Sequence, residues 1–553
     1  MPADRFLVMD GAMGTMLQKS GLEPGERPEM MNLRAPKTVT EVHRAYIEAG
    51  SNIISTNTFG ANRLKLEKTG HAVEDVVCKA VQAAQAARAS CAERGGDVRI
   101  ALDVGPIGEL LEPSGTLTFE EAYELFAETM IAGEKYGADL ILIETMTDLY
   151  EAKAALLAAK EKTSLPVLLS MSFEKNGRTL TGTPVEAMAV TLGGLKPAAL
   201  GINCSLGPAE IVKLAERLCE ATPLPVFLKP NAGLPDAITG LHRMDAETFA
   251  AEMEPCFSMG ISMVGGCCGT DPETIRTLAA MFGGRAPAQR VFRPKNWICS
   301  SMQIVELSGV TPIGEKINPT GKGDFQEELL DEDFSTIESL VMDQEDEGVT
   351  VLDVNVGAPG VDEALVLPRA VKAIQTLTRL PLVLDSSSPK ALEAALRVYN
   401  GKAIVNSTTA ADARLAFVLG LCRKYGAAFV GLTMDNKGIP ETAEERFALA
   451  EKIVNAALAA GIPREDIIID CVSMPAIYFP ALEEVTLEAV ALVKEKLGVK
   501  TILGISNISF GCPNRVERNQ AFLTKALAAG LDLPILDPMD SSVMKIVEAA
   551  GRS

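Results

Sequence analysis

The chain has few aromatic side chains, no excess of positive charge and no apolar run of membrane-spanning length. Aromatic residues make up 5% of its 553 positions, with one tryptophan, Trp297, so nucleic-acid bases would find few rings on which to stack. The formal net charge is −21, which repels phosphate backbones and anionic lipid. No apolar run approaches the roughly 20 residues that cross a bilayer. We therefore expect neither nucleic-acid nor membrane partners.

Regularly spaced cysteine pairs are also missing. The eleven cysteines are an odd number without a Cys-x-x-Cys motif, which argues against a zinc finger or a disulfide framework. The three histidines, His43, His71 and His242, do not follow predicted strands. The chain begins Met-Pro-Ala-Asp-Arg and enters a strand without the pattern of an export signal. The expected compartment is the reducing cytoplasm.

Short β-branched runs alternate with longer amphipathic stretches along the whole chain. We predict sixteen strands, at 6–9, 53–56, 98–102, 140–143, 167–170, 199–202, 226–228, 261–264, near 313, and at 349–352, 382–384, 403–405, 428–430, 467–469, 502–504 and 535–536. Eight strands alternating with helices over about 250 residues indicate a (β/α)8 barrel, whereas an open doubly wound sheet seldom continues so regularly. The predicted fold is α/β with two tandem TIM barrels, at 1–285 and 301–553, joined by a basic linker at 286–300. A capping box at 270–273 is expected to open the last helix of the first barrel.

Nearly every predicted strand ends in a polar residue, on the face where barrel enzymes place their active sites. These residues are Asp10, Asn57, Asp103, Glu144, Cys204, Asn231 and Cys267 in the first half, and Glu315, Asp353, Asp385, Asn406, Asp470, Asn507 and Asp537 in the second. One such residue is more often a helix cap or a turn residue. Seven in register, in each half, favour function.

Three cysteines follow two of the predicted strands. Cys204 stands in GINCSLGP, and Cys267 and Cys268 stand in GGCCGT. Each taken singly is more often a small buried residue, but the glycines allow sharp turns that can bring the thiols around one ion. Three thiolates with one open position make a reactive zinc site that can bind a substrate thiol.

The first half resembles the homocysteine S-methyltransferase family. The motifs that carry the resemblance are MDGAMGT at 9–15, TNTFG at 56–60, DVGP at 103–106, ET at 144–145, GINC at 201–204, PNAG at 230–233 and GGCCG at 265–269. The resemblance implies that Cys204, Cys267 and Cys268 bind zinc and that the homocysteine thiol takes the open position. It also implies a second group that holds the amino-acid end of homocysteine, namely Asp10, Glu144 and the turn of Gly14 and Thr15. From its place in the chain, Asn231 is expected at the open zinc position when substrate is absent.

The second half has a rim of acids and amides instead of thiols. A carboxylate can accept two parallel hydrogen bonds from an aminopyrimidine edge, so this rim suits a pterin. The motifs GEKIN at 314–318, LDVN at 352–355, LDSS at 384–387, VNS at 405–407 and GISN at 504–507 resemble the pterin-binding methyltransferases. The implied folate-binding residues are Glu315, Asn318, Asp353, Asn355, Asp385, Asn406, Asp470 and Asn507. Dihydropteroate synthesis is not expected, because its closing Ser-x-Arg-x-His segment is missing.

The order of the two halves resembles the N-terminal half of the cobalamin-dependent methionine synthases. That family implies methyl transfer from 5-methyltetrahydrofolate to cob(I)alamin, and from methylcobalamin to zinc-bound homocysteine, with Asn406 and Asp470 assisting proton delivery to the pterin. The Asp-x-His-x-x-Gly cobalamin motif is not found in the chain, so the cobalamin domain is expected elsewhere, in cis or in trans. Two alternatives remain. One is a cobalamin-independent methyltransferase with a sulfonium or betaine donor, and the other is a non-enzymatic homocysteine or folate sensor.

Overall fold

A computed structural model describes residues 5–23, 25–91, 95–234, 242 and 244–551. The chain divides into two compact units, Met1–Arg293 and Pro294–Ser553. Each unit is built on a parallel eight-stranded sheet with helices between the strands. Among the described residues, no helix is both long enough and apolar enough to cross a membrane.

The strands of the first unit follow one another around a barrel in chain order. They are β1 (Leu7–Val8), β2 (Ile53–Ser55), β3 (Arg99–Val104), β4 (Leu140–Met146), β5 (Val167–Met171), β6 (Ala199–Asn203), β7 (Val226–Lys229) and β8 (Met263–Val264). Strand β8 pairs in parallel with β1, and a single bridge between Met9 and Ile53 joins β1 to β2. The sequential order excludes the doubly wound alternative, in which the strand order reverses partway.

The helices of the first unit lie between these strands. They are α1 (Met13–Lys19), α2 (Met31–Arg34), α3 (Pro36–Ala49), α4 (Arg63–Leu66), α5 (Val73–Ser90), α6 (Phe119–Tyr136), α7 (Leu149–Lys162), α8 (Val185–Gly194), α9 (Pro208–Ala221), α10 (Ala246–Glu252), α11 (Cys256–Met259) and α12 (Pro272–Phe282). Helix α12 begins differently from the prediction. Its N-cap is Asp271, whose carboxylate accepts from the Glu273 and Thr274 amides, whereas the Thr270 hydroxyl donates to the Cys267 carbonyl. The predicted capping box is therefore wrong, because a neighbouring loop engages the threonine.

The second unit contains a closed parallel barrel. Its strands are β11 (Ile313–Ile317), β12 (Val351–Asn355), β13 (Leu382–Asp385), β14 (Ile404–Thr409), β15 (Ala428–Leu432), β16 (Ile467–Asp470), β17 (Lys500–Gly504) and β18 (Leu533–Leu536). Its helices are α13 (Gly323–Leu330), α14 (Ser335–Asp346), α15 (Glu363–Leu377), α16 (Pro389–Val398), α17 (Asp412–Tyr425), α18 (Ala443–Ala459), α19 (Leu482–Leu497), α20 (Arg515–Ala528) and α21 (Ser541–Gly551). Two tandem α/β barrels, and all sixteen predicted barrel strands, are confirmed.

An antiparallel hairpin precedes the second barrel. It pairs β9 (Trp297–Cys299) with β10 (Ile304–Glu306). Its buried Ile298 and Val305 share one apolar core with the first residues of the barrel strands, so the hairpin covers the amino-terminal end of that barrel. The sequence analysis did not predict it, and β9 lies inside the stretch assigned to the linker. The boundaries 1–285, 286–300 and 301–553 stay predictions.

Candidate active sites

Three thiols meet at the carboxyl end of the first barrel. Cys204 directly follows β6, and Cys267 and Cys268 follow β8 after two glycines. The three sulfur atoms lie within 4.8 Å of one another, and Cys204 Sγ is 3.9 Å from Cys268 Sγ. The folded chain thus brings Cys204 together with two cysteines that are 63 and 64 positions away in sequence.

The backbone around the thiols is shaped for this convergence. Cys204 has a left-handed φ of 59°, and its amide donates to the Lys229 carbonyl over 3.0 Å. The Cys267 amide donates to the Pro230 carbonyl over 2.8 Å. Both cysteine loops are therefore tied to the end of β7. At Gly266 a Cβ atom would stand 2.4 Å from the Thr270 hydroxyl, so the close turn requires glycine.

The three thiols share their hydrogen bonds unequally. Hydrogen bonds from Cys267 and Cys268 lower the pKa of the Cys204 thiol well below its usual range. Hydrogen bonding to Cys204 in turn raises the pKa of Cys267, and that of Cys268 to about 11. The cluster by itself therefore favours one thiolate, and a divalent cation is needed to hold all three as thiolates.

The donor set fits zinc. Three sulfur ligands are typical of zinc sites, and a fourth, exchangeable position is typical of catalytic ones. Asn231 hydrogen-bonds to the Cys204 thiol through its side chain, and its Oδ1 is buried with no partner among the described residues. The Oδ1 atom of Asn231 is therefore available to act as the ligand that we expect at the open position of the zinc.

A cavity of about 410 Å³ opens beside the thiols. Its wall contains all three cysteines and most of the residues expected to hold the substrate: Gly14, Thr15, Glu144, Cys204, Cys267 and Cys268. Gly14 and Thr15 lie in the first turn of α1 rather than in an irregular turn. First-turn amides have no acceptor within their helix, and the N-cap residue Ala12 supplies no side-chain bond. These amides therefore remain suited to a carboxylate, as the resemblance implies.

A buried lysine, which the sequence analysis missed, organises the acids near this cavity. Lys229 ends β7, is 2% exposed and donates to Glu144 Oε2 over 2.7 Å. Its Nζ is 3.9 Å from Asp10 Oδ1. Burial lowers the pKa of Lys229, but the charges of Glu144 and Asp10 outweigh it and leave the pKa raised. The sequence signal was a charged residue at the end of an apolar run, but the predicted strand ended at 228.

Asp10 and Asp103 differ in their surroundings. Asp10 is not among the described residues that line the cavity. Its carboxylate accepts from both the amide and the hydroxyl of Ser55, over 2.6 and 3.0 Å. Burial raises the pKa of Asp10 to about 6. Asp103 lines the cavity, and burial and the charge of Glu144 raise its pKa.

In the second barrel, polar residues from three adjacent strands lie side by side. Asn355 pairs in register with Asp385, and Asp385 with Asn406. Asn355 Nδ2 donates to Asp385 Oδ2 over 2.9 Å, and Asn406 Nδ2 donates to Asp353 Oδ1 over 3.2 Å. Burial raises the pKa of Asp385 to about 6, and it raises the pKa of Asp353 with the help of the Asp385 charge. This row of alternating acids and amides can donate and accept along one edge of a flat ligand.

Asp470 ends β16 and is held by its own loop. Its Oδ1 accepts from the Val472 amide over 2.6 Å, and burial raises its pKa to about 7. Among the described residues, no hydrogen bond joins Asp470 to Asn406. The structure thus places these two predicted catalytic residues on different strands, Asp470 on β16 and Asn406 on β14.

The remaining predicted folate residues are more dispersed. Glu315 accepts from the Ser506 hydroxyl, and burial raises the pKa of Glu315. Asn318 accepts from the Thr320 amide over 3.0 Å, as a turn residue does. Asn507 is exposed in a short 3-10 helix, Ile505–Ser509. A Cβ atom at position 504 would stand 2.7 Å from Asn507 Nδ2, so a larger residue there would require the Asn507 side chain to shift.

The two barrels match two protein families. Residues 7–282 match the homocysteine S-methyltransferase family, and residues 314–537 match the pterin binding enzyme family. The methionine synthase of Mycobacterium tuberculosis (strain ATCC 25618 / H37Rv) is 30% identical over 573 residues, which cover 97% of this chain and 47% of that protein. The methionine synthase of Mycobacterium leprae (strain TN) is 29% identical over 575 residues, with the same two coverages.

The chain spans about half the length of these curated relatives. Among solved structures, the metallated form of the homocysteine methyltransferase MmuM from Escherichia coli is 25% identical, with a TM-score of 0.44. That match covers 50% of this chain and 96% of the other.

Proposed function

Because the chain belongs to the methyltransferases, through a homocysteine S-methyltransferase domain and a pterin-binding domain, we propose that it carries out both methyl transfers of methionine synthesis. In the first, the methyl group of 5-methyltetrahydrofolate passes to cob(I)alamin and tetrahydrofolate leaves. In the second, methylcobalamin gives the methyl group to homocysteine, and methionine leaves. The first barrel serves homocysteine and the second serves the folate.

The observation that carries this proposal is the meeting of three thiols in the wall of the first cavity. Cys204, Cys267 and Cys268 would hold zinc, which supplies a Lewis acid that keeps a bound thiol deprotonated at neutral pH. Homocysteine enters with its sulfur toward the cysteines. The first-turn amides at Gly14 and Thr15 bind its carboxylate, and the buried acids near Glu144 face its ammonium group.

The second barrel binds the pterin along its row of acids and amides. The N5 amine of methyltetrahydrofolate is a poor leaving group until it is protonated. Asn406 lies in this row and donates a hydrogen bond there, while Asp470, with its pKa raised to about 7, can hold a proton at neutral pH. We assign proton delivery to Asp470, and Asn406 assists it by hydrogen bonding. Glu315, Asp353, Asn355, Asp385 and Asn507 orient the ring, with Asn318 in a supporting turn.

We place the corrinoid outside the two barrels. Residues 7–282 and 314–537 are accounted for by the thiol and pterin domains, and the longer relatives have room for further domains. We propose a cobalamin-binding domain, in cis or in trans, as the partner of both barrels.

A crossed pair of variants tests the assignment. Cys204→Ser should abolish methionine formation from methylcobalamin and homocysteine, because it removes one of three sulfur ligands. The same variant should leave methyl transfer from methyltetrahydrofolate to free cob(I)alamin within about twofold of wild type. Asp385→Asn should give the opposite pattern, because an amide cannot accept the two parallel hydrogen bonds that a carboxylate accepts from an aminopyrimidine edge. Each half-reaction is measured by the absorbance change of the corrinoid, and zinc is measured by metal analysis.

Three outcomes would contradict the proposal. Equal loss of both half-reactions in either variant would refute separate sites. Labelled methionine formed from methyltetrahydrofolate without any corrinoid would support a cobalamin-independent enzyme. Tight binding of homocysteine and folate with no turnover in either half-reaction would support a sensor.

A further inference from the structure

Buried ionisable groups at the carboxyl end of the first barrel include the acids Asp10, Asp103 and Glu144 and the amine of Lys229. An ionised carboxylate that is buried without a partner is costly. The contacts of each acid therefore indicate where a positive charge from a ligand would bind.

Glu144 and Asp10 already have partners. Glu144 accepts from Lys229 over 2.7 Å. Asp10 accepts twice from Ser55 and lies 3.9 Å from the Lys229 ammonium. Both carboxylates are thus engaged by groups of the protein itself.

Asp103 is different. It is 7% exposed, and among the described residues it forms no ion pair and its Oδ1 has no hydrogen-bond partner. It also lines the cavity. Lys65, another cation that lines the cavity, donates instead to the Pro106 carbonyl over 2.7 Å. A buried carboxylate oxygen without a partner, in the wall of a cavity, can accept a hydrogen bond from a ligand that enters the cavity.

Two hydrogen bonds hold the backbone of Asp103 in place. Its amide donates to the Thr56 hydroxyl over 3.1 Å, and its carbonyl accepts from the Thr58 hydroxyl over 2.7 Å. Both bonds join β3 to the loop after β2. The backbone is therefore held on both sides of the Cα atom, and ligand binding needs little reorganisation.

We propose that Asp103 is the residue that binds the α-ammonium group of the thiol substrate, with Lys229 engaging the neighbouring Glu144. The inference rests on the proposed function, in which an amino-acid thiol occupies this cavity. It adds a binding residue that gives the site its preference for α-amino thiols over thiols without an amino group.

The test compares homocysteine with 4-sulfanylbutanoic acid, which keeps the thiol and carboxylate and lacks the amino group. Dissociation constants come from calorimetry with the zinc-loaded chain, and kcat/KM from methylcobalamin turnover. Wild type should bind homocysteine at least about tenfold more tightly, the typical effect of a hydrogen bond to a charged group. Asp103→Asn should weaken homocysteine binding roughly tenfold or more and change binding of the deamino thiol less than about twofold.

The control is Asp97→Asn, the same chemical change in the same barrel at an exposed residue paired with Arg5, which should alter neither constant. Asp103→Ser provides a second variant if the amide variant fails to fold, and circular dichroism and zinc content report folding. A wild-type chain that binds the two thiols equally would overturn the inference. So would a folded Asp103 variant with unchanged preference. If neither thiol binds to wild type, the proposed function itself fails.

Discussion

At the scale of single residues, Lys229 determines the charge balance of the thiol site. Its ammonium group forms ion pairs with Glu144 on β4 and with Asp10 after β1. Removing one member of a buried ion pair is more costly than its net contribution suggests, because the partner stays buried and uncompensated. Lys229 therefore supports the site from a buried position in the cavity wall.

We expect Lys229→Met to lower the free energy of unfolding of the first barrel by about 3–5 kcal/mol. Urea denaturation of the full chain, followed by circular dichroism, measures the change. Lys135→Met is the matched control, since Lys135 pairs with Glu74 at the surface and its side chain is 59% exposed. Such a pair contributes at most about 1 kcal/mol. Similar losses in both variants would contradict the special role of Lys229.

At the scale of elements, the loop after β16 depends on one buried arginine. Arg446 projects from α18 and is fully buried. It donates to the Cys471 and Val472 carbonyls over 2.7 and 3.0 Å. The Val472 amide in turn donates to Asp470. A helix on the outside of the barrel thus holds the loop that orients a predicted catalytic carboxylate.

Arg446→Met should therefore weaken methyl transfer from methyltetrahydrofolate to cob(I)alamin by about tenfold or more, because two loop carbonyls lose their donor. Methionine formation from methylcobalamin, measured on the same preparation, should stay near wild type. Arg423→Met, an exposed change on α17, is the control and should affect neither half-reaction. Unchanged folate activity in a folded Arg446 variant would count against a positioning role.

At the scale of the whole molecule, buried acids make stability depend on pH. Burial raises the pKa of Asp10 and Asp385 to about 6, and of Glu151 and Asp470 to about 7. In the unfolded chain such groups ionise near pH 4. Between these values the folded state binds more protons than the unfolded state, so stability is highest below about pH 4 for these groups and falls as pH rises.

Replacing Asp470 by Asn should flatten that dependence. Between about pH 4 and pH 7 the variant should lose less stability than wild type, by at most about 1.4 kcal/mol per pH unit. Urea denaturation at several pH values gives the slopes. Asp346→Asn, at an exposed position of α14, should leave the slope as in wild type. A slope in the Asp470 variant that is equal to or steeper than that of wild type would show that the Asp470 carboxyl does not hold its proton in the folded chain.

The sequence by itself determined the architecture and the family. Runs of β-branched residues at regular intervals predict strands locally, and eight of them per half specify a barrel whose carboxyl ends must share one face. The sequence alone therefore assigns the polar residues at those ends to one rim. The resemblance to the homocysteine S-methyltransferase and pterin-binding families, read from short motifs, is confirmed by the family matches.

Only the tertiary structure decided which polar groups have partners. Lys229 and Arg446 were missed because a charged residue at the end of a strand or on a helix looks like a surface residue until its burial is known. Asn318 and Asn507 look equivalent to Asn355 in sequence, yet one closes a turn and one is exposed. Asp10 and Asp103 both follow a predicted strand, but Ser55 satisfies only Asp10. Hydrogen bonds and ion pairs form between groups distant in the chain, so a local pattern can place a side chain on a rim but cannot tell whether its partner comes from the protein or from a ligand.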